Sequence, residues 1–144
     1  MNNSDYQQFV VKFPKEEVLE LYSDWKGIFD PQTIAEPLLM SSFGDLLYKD
    51  SDGAVQFLDT LEGAVTQFAN DESEMQAKLS DESNQNHYLS SGNVVLLRER
   101  GLALKDDELY IYVPHPSFTG TVDLNTVQIM SMRVVLSLNG QSLS

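Results

Sequence analysis

Between Phe43 and Phe68 the chain falls into three short apolar-rich runs, Phe43–Lys49, Ala54–Asp59 and Ala64–Phe68, and each break carries a glycine. The breaks, Asp50-Ser51-Asp52-Gly53 and Thr60-Leu61-Glu62-Gly63, place Gly where a tight turn needs positive φ. Runs this short, joined this closely, leave no room for crossover helices, so the pattern predicts an antiparallel three-stranded meander. The first break has the look of a calcium loop. Its Gly falls in the wrong place and its acids are wrongly spaced for one, so the hairpin turn is the better reading.

The segments on either side read differently. Ser4-Asp5-Tyr6-Gln7 fits a capping box, and Tyr6, Phe9, Val10 and Phe13 follow the spacing of one helical face. Pro14 ends that helix and suits the first turn of a second, where Val18, Leu21, Tyr22 and Trp25 repeat the face before Gly27. The expectation is an N-terminal helical hairpin packed on the sheet through Phe9, Phe13, Leu21 and Trp25. Asp30-Pro31 restarts a short helix to about Leu39, bent or ended by Pro37.

Asp71 caps a helix that runs to about Leu79, with Glu74 at the third position. Asp81 to Tyr88 reads as a polar loop, and Asn93 to Arg100 as a helix with basic residues in its last turn before Gly101. Glu108–Val113 is the clearest strand, aromatic and β-branched and closed by Pro114. Val127 to Leu138 carries both helical and strand periodicity and stays mixed. The whole predicts one α+β domain over the 144 residues: residues 1–42 helical, then an antiparallel sheet with further helices packed on it.

Charge narrows the function. Twenty-two Asp and Glu face nine Lys and Arg, a net of −13. A nucleic-acid binder needs a clustered basic surface, so nucleic acid is not the expected partner. Nine acids lie between Asp50 and Glu82 against Lys78 alone, while Val113–Ser144 carries only Asp123 and Arg133. The acidic stretch is either a solvated face or a patch that steers a basic partner. No apolar run approaches a membrane helix and the N-terminus lacks the features of a secretory signal, so a cytoplasmic protein that engages no membrane is expected. The absence of cysteine is compatible with that compartment.

The usual catalytic elements are scarce. There is no cysteine and there are two histidines. His115 sits between Pro114 and Pro116 just past the clear strand, where a rigid loop could form the lip of a site; His87 is isolated among polar residues. No second His stands at ligand spacing, no zinc set can be assembled, and no glycine-rich phosphate loop occurs. No metal, no cofactor and no enzymatic activity are expected.

Several segments together resemble one bacterial family. Phe43-Gly44-Asp45-Leu46-Leu47-Tyr48, then Leu58-Asp59, Gly101-Leu102, Glu108-Leu109-Tyr110-Ile111-Tyr112-Val113-Pro114 with Pro116 and Gly120, and finally Val127 through Leu138 to Gln141 follow its order and spacing. The family is the C-terminal domain of type VI secretion DNase-effector immunity proteins, often seen beside a GAD-like segment, and the resemblance covers residues 43–141. Where that family usually has two glycines after the proline motif, this chain has Thr119-Gly120. The resemblance implies neutralisation of a toxin by tight binding, without chemistry. It transfers no contact residue.

From charge, the expected patch is Asp50, Asp52, Asp59, Glu62, Asp71, Glu72 and Glu74, with Tyr88 or Phe118 as apolar anchors against a basic toxin surface. Two alternatives remain open. One is a small-molecule or peptide-binding module with Tyr110, Tyr112 and Trp25 lining a pocket. The other is a hydrolase whose carboxylates cluster in a cleft.

Overall fold

The computed structural model describes residues 5–143. The meander forms and is extended at its start. Val10–Val11 (β1), Glu36–Ser41 (β2), Leu46–Lys49 (β3), Val55–Asp59 (β4) and Ala64–Ala69 (β5) make a five-stranded antiparallel sheet in chain order. Gly53 and Gly63 take φ of +85° and +67° in the two turns, as those positions require.

The helices are Val18–Leu21 (α1), Glu72–Leu79 (α2), Glu82–Leu89 (α3), Ser91–Glu99 (α4), Pro116–Thr119 (α5) and Met132–Leu143 (α6). Glu108–Tyr112 (β6) and Val127–Ser131 (β7) pair as a separate antiparallel ribbon. The mixed stretch after residue 127 thus splits into a strand and a helix. The ribbon is tied to the main sheet where Tyr110 N donates to Ser42 O at 2.9 Å.

Both faces of the sheet are covered. Leu47, Val55, Phe57 and Phe68 on one face pack with Met75 and Leu79 of α2, Leu89 of α3, and Val94 and Leu97 of α4. Met40, Leu46, Tyr48 and Leu58 on the other pack with Val18, Leu21, Tyr22, Trp25 and, from α6, Met132, Val135 and Leu136. In β6, Tyr110 and Tyr112 join the first cluster while Leu109 and Ile111 join the second, so the ribbon closes both layers. Burial on both faces explains why Leu46-Leu47-Tyr48 is an unbroken apolar run rather than an alternating one.

The N-terminal stretch is not a helical hairpin. Tyr6–Phe9 is a single 3-10 turn, capped by Asp5 through Gln7 N, and it runs directly into β1; Ser4 lies outside the described residues. The second expected helix is one turn of α-helix flanked by 3-10 turns at Lys15–Glu17 and Ser23–Trp25. The apolar spacing was legible, but Phe9 faces one layer while Leu21 and Trp25 face the other, and Phe13 is only partly buried. Packing on opposite faces overrides a continuous helical face.

Nor is the segment up to Leu39 a helix. Pro31–Thr33 is a 3-10 turn, and Pro37 lies inside β2, so residues 1–42 are not helical throughout. Pro37 is tolerated because β1 pairs only with Met40 and Ser41, leaving Pro37 with a neighbour on one side alone. The expected polar loop at 81–88 is helix α3, started by Asp81 accepting from Ser83 N. It presents little apolar periodicity because Gln85 is one of its buried residues, donating to Leu79 O. Ser90, at φ +54°, turns α3 sharply into α4.

Candidate functional site

The expected acidic residues do not form one patch. Asp50 and Asp52 lie in the β3–β4 turn, and Asp71, Glu72 and Glu74 begin α2 just beyond β5; the register Lys49↔Val55↔Ala69 puts both groups at the same end of the sheet. Asp59 ends the five-residue β4 and Glu62 follows in the next turn, roughly 13 Å or more from Val55.

Several of these carboxylates also hold their own backbone. Asp50 accepts from Asp52 N and Ala54 N and from Gln56 Nε2, and the Gln56 bond first of all draws its carboxyl below the usual range. Asp59 accepts from Leu61 N and Glu62 N. Asp71 caps α2 through Glu74 N, and Glu74 accepts from Asn70 N in return. Their placement follows from turn and cap chemistry, and their charge remains at the surface. Glu72 and Glu36 both pair with Lys49, at 3.1 and 3.6 Å. Lys78, the other cation of this region, is turned onto Phe68, donating to its carbonyl at 2.7 Å. The exposed surface at this end is therefore strongly negative.

The two expected anchors differ. Tyr88 is half-buried, edge-on between Phe57 and Phe68 at centroid distances of 5.0 and 4.7 Å. Phe118 is 70% exposed, on the short helix α5, and Val122 is exposed just beyond it. Of the three aromatics expected to line a pocket, Trp25 is fully buried, donating from Nε1 to Leu136 O, and Tyr110 is buried, with its hydroxyl on Leu102 O. Tyr112 alone lines a cavity, of about 90 Å³.

That cavity collects residues from five segments. Asp45, Asp59, Tyr88, Asn93 and Tyr112 line it, with the exposed His87 and Val122. Asp45 was not singled out by charge, although an acid inside the apolar run 43–48 was the available signal. It is 8% exposed and accepts from Thr60 N at 2.7 Å, Thr60 Oγ1 at 2.6 Å and Ser41 Oγ at 2.7 Å. Burial outweighs these three donors and, with the nearby Asp59 charge, pushes its carboxyl up to about 6. Tyr112 is shifted upward too, by burial first and then by Asp45.

His115, expected at the lip of a site, is buried and belongs to the same network. Its Nδ1 accepts from Ser117 N at 3.0 Å, so the neutral ring donates from Nε2 to Thr60 O at 3.0 Å. The loop after the cis Val113–Pro114 bond is thereby fixed to the β4–β5 turn that also holds Asp45. The segments 43–48, 58–59 and 108–116 thus meet around Asp45 and Thr60.

No cluster of three or more His, Asp or Glu among the described residues is placed to hold a metal ion. None of the described helices is long and apolar enough to cross a membrane. No family model matches the chain, and no curated protein matches it.

Proposed function

We propose that this is a non-catalytic, cytoplasmic immunity-type protein that binds and neutralises a toxin effector, a nuclease with a basic surface. The observation that carries this reading is the acidic end of the sheet, which gathers Glu36, Asp50, Asp52, Asp71, Glu72 and Glu74, with Lys49 paired to Glu36 and Glu72. A surface of one sign raises encounter rates with a partner of the other and can occupy the face such a nuclease turns to DNA. The resemblance of residues 43–141 to the immunity family supports the same reading.

The test is surface-binding kinetics against the candidate toxin, the product of the gene neighbouring this one. Asp52→Lys with Glu72→Lys leaves the turn and cap bonds intact and is expected to slow association roughly five- to tenfold at low salt, and less at high salt. Glu16→Lys with Glu99→Lys changes net charge equally, outside this group of acids, and is expected to do much less. Equal effects from the two pairs would remove the acidic end as the interface.

A ligand- or peptide-binding module is the second reading. An open groove of about 550 Å³ between residues 10–14 and 103–108, with Lys12, Arg98 and Lys105 and the acids Asp106, Asp107 and Glu108 on its walls, is the observation that favours it. Lys12→Glu with Lys105→Glu would then abolish binding while the Asp52 and Glu72 variants left it unchanged.

A further inference from the structure

The cavity beside Asp45 is the least conventional environment in the molecule. A carboxylate 8% exposed has three hydrogen-bond donors but no cation: the ion pairs among the described residues are those of Lys49 with Glu36 and Glu72, and of Arg133 with Glu17 and Glu20. A second carboxylate, Asp59, lines the same space, and its other oxygen receives no hydrogen bond from the described residues. Phe43, Phe57, Tyr88 and Tyr112 add ring faces and Asn93 an amide, while Leu61, Ser90 and the exposed His87 and Val122 complete the wall. Two anions and several ring faces around a narrow space open at the surface suit a cation, because a neutral guest would leave the charge uncompensated.

We infer that this cavity receives a primary alkylammonium group, the end of a lysine side chain of the basic partner. The inference rests on the reading of the chain as a toxin-binding protein. The volume of about 90 Å³ fits an ammonium, close to a water in size at roughly 30 Å³, with its last methylenes, and is small for a nucleobase or a sugar. Such a lysine would be the desolvated anchor at the centre of an interface, while exposed acids elsewhere govern approach. It would also give Asp59 and Tyr88 a role at the opposite end of β4 from Asp52 and Glu72.

The test is a titration of the full chain with n-butylammonium chloride, read by nuclear magnetic resonance, against n-butanol and sodium chloride at matched ionic strength. Saturable shifts at Tyr88, Asn93 and Tyr112 are expected with the ammonium alone. Asp59→Asn retains an oxygen for Leu61 N and Glu62 N, so the turn persists, and it is expected to weaken binding roughly threefold or more; Tyr88→Leu, which keeps the apolar packing, is expected to weaken it as well. Asp52→Lys is expected to leave the shifts unchanged. Saturating butylammonium is also expected to speed dissociation of the nuclease complex beyond what sodium chloride does. No saturable shift, an equal response to butanol, or unaltered affinity in both cavity variants would overturn the inference. Ammonium binding with no nuclease association would instead remove the toxin as the source of the lysine, and so overturn the proposed function rather than the cavity.

Discussion

Asp45 shows how one buried side chain couples stability to pH. Its neighbours are Asp59 across the cavity, the phenols of Tyr22 and Tyr112, and the Thr60 and Ser41 donors, with no positive charge among them. With its folded-state pKa raised from 3.8 to about 6, the native protein binds a proton in that interval that the unfolded chain does not. Stability from this group therefore rises as pH falls through about 6 and levels off near 4, by about 3 kcal/mol in all. Relief of repulsion among the surface carboxylates acts in the same direction, so a variant has to separate them. Urea midpoints are expected to rise on acidification from pH 7 to 5 in the parent and to rise less in Asp45→Asn, which carries no charge at this site. An unchanged pH profile in Asp45→Asn would show that the surface carboxylates alone set it.

Helix α6 illustrates a conflict between local preference and packing. Gly140 lies within it, where Ala would be the better helix former by about 1 kcal/mol. The helix instead lies close against the 3-10 turn at residues 23–25, because Trp25 Nε1 donates to Leu136 O at 2.7 Å and Ser137 Oγ donates to Asp24 Oδ2 at 2.5 Å. A Cβ at residue 140 would stand 2.8 Å from Asp24 O and 2.9 Å from the Trp25 ring. Backbone cannot swing aside as a side chain can, so the clash outweighs the propensity gain. Gly140→Ala is expected to destabilise by about 1–3 kcal/mol, read as a lower urea midpoint. A midpoint at or above that of the parent would mean that α6 is free to shift outward.

Taken whole, the molecule carries its net −13 with few internal cations to offset it. Among the described residues the two ion-pair groups, around Lys49 and Arg133, lie at the surface, where such pairs contribute little. Screening weakens them slightly but relieves repulsion across the whole surface, since the Debye length is about 10 Å at 0.1 M salt. Repulsion is the larger effect. The thermal midpoint is expected to rise by a few °C as sodium chloride is added to a dilute buffer. A midpoint that fell would place the ion pairs above the repulsion.

Where local chemistry decides, the sequence was legible: the turns at Gly53 and Gly63, the Asp71 cap, the end of α4 at Gly101 and the strand Glu108–Tyr112 all depend on near neighbours. The α+β class followed from those pieces. What the chain does at Val10–Val11, at Pro37 and at residues 82–89 depends on distant partners: pairing with Met40 and Ser41, an open strand edge, and a buried Gln85 on Leu79 O. The candidate site divides in the same way. Acidic residues could be read as charges along the chain, but their separation to opposite ends of β4 is fixed by strand register. The cavity was hidden because Asp45, Asp59, Tyr88, Asn93 and Tyr112 are brought together only by packing of the β6–β7 ribbon and helices α3 and α4 around the sheet. Sequence determines which groups carry charge and which turns are tight; only tertiary packing decides which carboxylate loses its water.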